Sequence, residues 1–244
     1  EEVSGGDLTL FNENPFSYHF NFKADIFFIH ENFQINLDIR LIDFVKSYRY
    51  VFPRWDNKIF NKIAKDRKIS LKKTFKELSR GQKMQFLLMM AFAARPKLLL
   101  LDEITSVIDI DGQRYFLDML KEYTQNGGTV LITTNILSEL NAYTDHLVLL
   151  QDTKLKINKE VSELQKDYVV LEKKTNHSVF TDRMVVQLQQ NESDQKEIYL
   201  VPIELYKKYD DLSDCLTSRK PRLEDILIFH FKFKENNYEE NLVA

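Results

Sequence analysis

The chain has 244 residues, 43% of them apolar and 29% charged, with a formal net charge of -3 at pH 7. That length can bury one good core, or a core domain with a small appendage, and the charge balance gives no electrostatic case for nucleic acid as a partner. A single cysteine, Cys215, leaves no internal disulfide and fits a reducing compartment, and no apolar run reaches the roughly 18–20 residues that cross a bilayer.

In chain order, Glu1 is not Met and no basic-then-apolar targeting segment follows, so the chain is expected to begin inside a domain. Asp7–Phe11 and Asp25–Ile29 read as strands. Helices are expected over 38–50 and 56–66, divided at Phe52-Pro53-Arg54-Trp55 because proline cannot donate to a helical ladder. Ser79 and Gln82 form an S-x-x-Q capping box. The helix they open should run to Arg95, stop before Pro96 and be buried, since it is apolar on most faces. Leu98–Leu101 then reads as a strand inside a parallel sheet.

The alternation continues with a helix over 111–125 ended by Gly127-Gly128, a strand Thr129–Thr133, a short helix over 137–143 and a strand His146–Leu150. This β-α-β-α-β order implies a parallel sheet with right-handed crossovers, including His146–Leu150. Ligands of such sheets bind at the strands' carboxyl ends, where Asp102, Glu103 and Asn135 fall. Past Gln151 the pattern changes. Asp152-Thr153 is expected to turn a hairpin, Tyr168–Leu171 and Ile198–Val201 to be strands, and Leu223–Phe233 to be an amphipathic helix.

Leu78-Ser79-Arg80-Gly81-Gln82 resembles the L-S-G-G-Q signature of the ATP-binding-cassette (ABC) ATPases, and Leu98-Leu99-Leu100-Leu101-Asp102-Glu103 resembles their Walker B motif. The resemblance implies an α/β, P-loop NTPase-like (RecA-like) parallel sheet with a helical signature subdomain at about 38–95 and a small C-terminal α+β extension. The expected division is 1–155 for the nucleotide-binding domain and 156–244 for the extension. It further implies ATP and Mg²⁺ as ligands, with Asp102 holding the metal and Glu103 polarising the attacking water. Ser79, Gly81 and Gln82 would meet the γ-phosphate of a second subunit's ATP, at a helix N-terminus suited to anions. Arg80, in place of a glycine, is expected to point outwards.

Ser106-Val107-Ile108-Asp109 sits where the family has its D-loop, Glu31 where it has a metal- and water-touching Gln, and Asn135 where it has a switch histidine. Asparagine can bond a phosphate oxygen but cannot carry a proton, so Asn135 implies slowed hydrolysis. Phe52-Pro53-Arg54-Trp55-Asp56 and Leu223-Glu224-Asp225-Ile226 are similar to segments of the bacterial peptide and antibiotic-export branch. The implied protein is a cytoplasmic subunit on the inner face of the cell membrane. It would pair with a transmembrane permease subunit and a second nucleotide-binding subunit, and not with nucleic acid.

No G-x-x-x-x-G-K-[ST] loop occurs in these residues, and Ser4-Gly5-Gly6-Asp7-Leu8 resembles the turn that follows that loop's helix. Truncation or an unrepresented segment is the favoured expectation over natural loss. ATPase activity is therefore expected only of the complete protein or dimer. The rival reading is a degenerate, non-hydrolytic structural or regulatory cassette. A soluble ABC-type ATPase of DNA maintenance or translation fits less well, because coiled-coil heptads and basic arms are missing.

Overall fold

The computed structural model describes residues 5–17, 24–33, 38–134, 143–173, 186–191, 196–206 and 216–231. Its contacts divide the chain into two compact units, Glu1–Ile136 and Leu137–Ala244. The stretch 137–155, assigned above to the nucleotide-binding part, falls in the second.

The first unit is built on three apolar runs that pair as a parallel sheet in the order β1 (Ile26–His30), β2 (Leu98–Asp102), β3 (Thr129–Thr133). Strand periodicity of two separates the faces. Ile29 and Leu99 are 0% exposed, whereas Phe28 and Leu131 are 52% and 56% exposed. The register sets Phe28, Leu100 and Leu131 in one row across the sheet, and His30, Asp102 and Thr133 in another at its carboxyl edge.

Helices α1 (Leu41–Tyr48) and α2 (Asn57–Asp66) follow β1. Asp56 opens α2, its carboxylate accepting from the Lys58 and Ile59 N–H groups at 2.7 and 3.2 Å. Helix α3 (Arg80–Ala94) opens on the expected box. Ser79 Oγ accepts from Gln82 N–H at 3.2 Å, and Gln82 Oε1 accepts from Ser79 N–H at 3.2 Å. Residues Met84–Ala94 are all buried, and the helix ends at Arg95 in the left-handed region (φ 48°) just before Pro96. The Arg54 guanidinium clamps that end to the start of β1, donating to Arg95 O at 2.9 Å, Ala24 O at 2.8 Å and Asp25 Oδ1 at 2.5 Å. Helix α4 (Ile110–Gln125) returns the chain to β3 and packs on α3 through parallel Phe92 and Phe116 rings 6.3 Å apart.

Asp7–Phe11 is not a strand. Phe11 and Asn12 take positive φ (54° and 64°), so the chain reverses tightly at the single bridge Leu10–Glu13 and Leu8 is left 51% exposed. The 137–143 helix and Asn135 lie outside the described residues, apart from Tyr143, which is not helical.

In the second unit, β4 (His146–Gln151) pairs antiparallel with β5 (Lys154–Glu160), which corrects the expectation that it extends the parallel sheet. Asp152 and Thr153 both take positive φ (50° and 59°), the two-residue hairpin geometry that folds β4 back on its sequence neighbour. Strands β6 (Tyr168–Lys173), β7 (Val186–Asn191), β8 (Lys196–Pro202) and β9 (Leu216–Arg219) form an antiparallel sheet in the order β7-β8-β6-β9. Short helices α5 (Val161–Leu164) and α6 (Ile203–Tyr206) and a longer α7 over 223–231 complete it. Ile157, Val161, Val170, Leu200, Ile226 and Leu227 share one core, with Leu147 and Leu149 packed against it. At the start of α7, Asp225 is only 8% exposed and is held by both Arg219 Nη atoms (2.7 and 3.3 Å) and by Arg222 N–H at 2.7 Å.

Candidate functional site

Two groups of exposed polar residues converge in the first unit. The first is the carboxyl edge of the sheet. Asp102 ends β2 with its carboxylate accepting from Thr133 Oγ1 at 2.5 Å, a contact fixed by the strand register. Glu103 follows in the left-handed region (φ 50°), and its N–H donates to Thr133 O at 3.1 Å and Oγ1 at 3.3 Å. That turn lifts Glu103 out of the strand and starts a 3₁₀ turn over Ile104–Val107. Both carboxylates are exposed.

The second group is the N-terminal tip of α3. Ser79 and Gln82 are exposed and occupied with each other in the capping box. Gly81 has a steric reason beyond any ligand, since a Cβ there would lie 2.9 Å from the Val107 carbonyl oxygen. The tip of α3 therefore rests on the backbone of the turn that leaves Glu103, and the two sequence-predicted motifs meet through that contact. Arg80 is 62% exposed, in keeping with an outward side chain, yet its guanidinium donates to Glu31, which follows β1 and is 27% exposed. That ion pair joins the α3 tip to the third expected site residue.

Asp109 is the N-cap of α4, but its side chain makes no capping bond. Its carboxylate instead accepts from Gln85 Nε2 at 3.2 Å and Arg67 Nη2 at 3.3 Å. Sequence reasoning missed Arg67, Gln85 and Thr133. For Gln85 a signal was present, because it is the lone polar side chain in the buried Met84–Ala94 run. Arg67 and Thr133 carry no local signal, since their partners are distant in sequence.

Among the described residues no group of three or more His, Cys, Asp or Glu could hold a metal ion. A magnesium ion shared with phosphates needs only one or two carboxylates, and exposed Asp102, oriented by Thr133, suits that arrangement. A separate apolar cleft of about 290 Å³ lies between β1, α1 and α3, lined by Phe28, Phe33, Phe44, Tyr48, Phe52 and Leu87 among others. Trp55 stays outside that lining and packs on Phe60, with ring centroids 5.4 Å apart.

Residues 10–106 match the family model described as ABC transporter. The chain is 31% identical over 129 residues to the ABC transporter ATP-binding protein YtrB of Bacillus subtilis, covering 52% of this chain and 44% of that protein. It is 29% identical over 148 residues to the manganese transport system ATP-binding protein MntA of Synechocystis, covering 56% of each. The chain thus matches about half the length of these relatives. A solved structure of an ATP-binding subunit of an ABC transporter superposes with a TM-score of 0.53 at 17% identity, covering 59% of this chain and 62% of that one, a likeness of fold.

Proposed function

Because this chain carries an ABC transporter ATP-binding domain, we propose that it works as the nucleotide-driven subunit of a membrane transporter, paired with a second cassette. The observation that carries this reading is the seating of the exposed α3 tip against the turn leaving Glu103. Ser79 and the free N–H groups of the tip would bind the γ-phosphate of the partner's ATP. Asp102 would hold Mg²⁺, which when bound neutralises phosphate charge. Glu103 would take a proton from the attacking water. Glu31 would orient that water from the end of β1. We place the permease contact at the apolar cleft, whose lining includes Phe33, two residues beyond Glu31. This puts the chain on the inner face of a membrane, and no helix of the described residues is long and apolar enough to cross one. Export is the direction we favour, on the likeness of 52–56 and 223–226 to the export branch.

The signature subdomain we draw is 38–95. Mixing the chain with an intact cassette should support ATP turnover that Ser79→Arg abolishes; unchanged turnover in that variant would remove the trans-site role. Asn135 favours a second reading, a non-hydrolytic cassette that only completes its partner's site.

A further inference from the structure

We infer that Arg67 is a positioning residue for the phosphate-facing tip, holding the 104–109 turn and, through it, the start of α3; the inference rests on the function proposed above. Arg67 closes α2, and its side chain is only 12% exposed. It reaches two other helices. Nε donates to Gln85 Oε1 of α3 at 3.4 Å, Nη2 to Asp109 Oδ1 at 3.3 Å and Nη1 to Asp111 Oδ2 at 2.6 Å. Its guanidinium carbon lies 5.6 Å from the centroid of the Tyr115 ring, whose hydroxyl donates to Asp66 at 3.0 Å. Gly112 leaves the space, since a Cβ there would fall 2.9 Å from Nη2 and 2.6 Å from Asp109 Oδ1.

A largely buried cation must be paired, and here the pairing joins the ends of α2 and α4 to the side of α3. The Asp109 end of the turn is thereby fixed, while Val107, two residues earlier, touches Gly81 with no room for a methyl group. Movement of the turn is therefore passed to the tip. Lysine cannot replace this fork, because an ammonium offers a point charge and not planar donors aimed at three acceptors.

The test compares wild type, Arg67→Lys, Arg67→Ala and, as a control that keeps the ring, Tyr115→Phe, all in the full chain. Amide exchange over 104–112 and 79–85 should quicken at least tenfold in both Arg67 variants, with 216–231 unchanged and the control like wild type. In the mixed assembly with an intact cassette, kcat should fall about tenfold or more. KM for ATP should stay within twofold, because misplacing a positioned group penalises the reacting geometry. Arg67→Lys keeps the charge and carries the test if Arg67→Ala does not fold. Unchanged exchange over 104–112, or a loss confined to KM, overturns the positioning role. Absence of turnover with the wild-type chain would instead count against the proposed function, leaving the exchange result to decide on Arg67.

Discussion

Replacing Ser79 by aspartate separates the two duties assigned to it. In the fold Ser79 is an acceptor, taking the Gln82 N–H at 3.2 Å in a reciprocal box. Ser79→Ala removes that acceptor and is expected to cost about 1 kcal/mol, lowering the melting temperature by roughly 3–6 °C for a unit of this size. Ser79→Asp keeps an acceptor and adds a negative charge at a helix N-terminus, worth about 0.3–1 kcal/mol in its favour. Its melting temperature should equal or exceed wild type. Against a phosphate oxygen the same charge is repulsive, by about 4 kcal/mol at 4 Å for an effective dielectric of 20. Ser79 is exposed, so salt and solvent screen part of this. About 2 kcal/mol remaining would lower turnover of the mixed assembly roughly thirtyfold. The assay pairs thermal melts with ATP turnover. A Ser79→Asp variant that is stable and keeps half its turnover would refute the phosphate-facing role; one that melts as early as Ser79→Ala would refute the capping argument.

Glu103→Gln should slow turnover about 100-fold or more at the site to which this chain lends its strand end, as loss of a general base does; equal rates would support the non-hydrolytic reading. Arg219→Ala leaves the 8% exposed Asp225 without its guanidinium and should destabilise the second unit by roughly 2–3 kcal/mol in a denaturant melt. That is less than the roughly 3–5 kcal/mol for breaking a fully buried pair, because Arg219 is itself partly exposed. Leu99→Ala, at a 0% exposed position of the central strand, should cost about 2–5 kcal/mol, and a change below 1 kcal/mol would mean the strand is not central. Burial pushes the Tyr123 hydroxyl, which donates to Pro96 O, from 10.0 up to about 12. A raised folded value gives stability that is complete below pH 10 and lost as pH climbs through about 12. Tyr123→Phe should flatten that alkaline loss, and phenolate absorbance showing Tyr123 ionising near pH 10 would contradict it.

Much of the first unit was legible because its signals are local. The Ser79–Gln82 box, the break at Pro96 and the four leucines before Asp102 each act within a few residues, and α3 and β2 appear where they imply. Pairing was less legible. His146–Gln151 is a strand as expected, but its alternating exposure belongs to a hairpin and not to a buried parallel strand. Asp7–Phe11 has strand-like residues, but the chain turns back on itself at the Leu10–Glu13 bridge, and the positive φ at Phe11 ends it. The site divides the same way. Asp102, Glu103 and Ser79 were singled out by motif spacing, while Thr133 on Asp102 and Arg67 on Asp109 depend on which distant segments meet.

The backbone at Glu103 carries a wider consequence. A non-glycine residue at φ 50° sits where L-amino acids are disfavoured by about 1–2 kcal/mol, so Glu103→Gly should ease the main chain at this turn. A laboratory selection for heat resistance alone would then drift toward glycine here, discarding the carboxylate. Evolvability at this codon thus pits durability against the role proposed for Glu103, and thermostabilised versions of the chain should be screened for that particular loss.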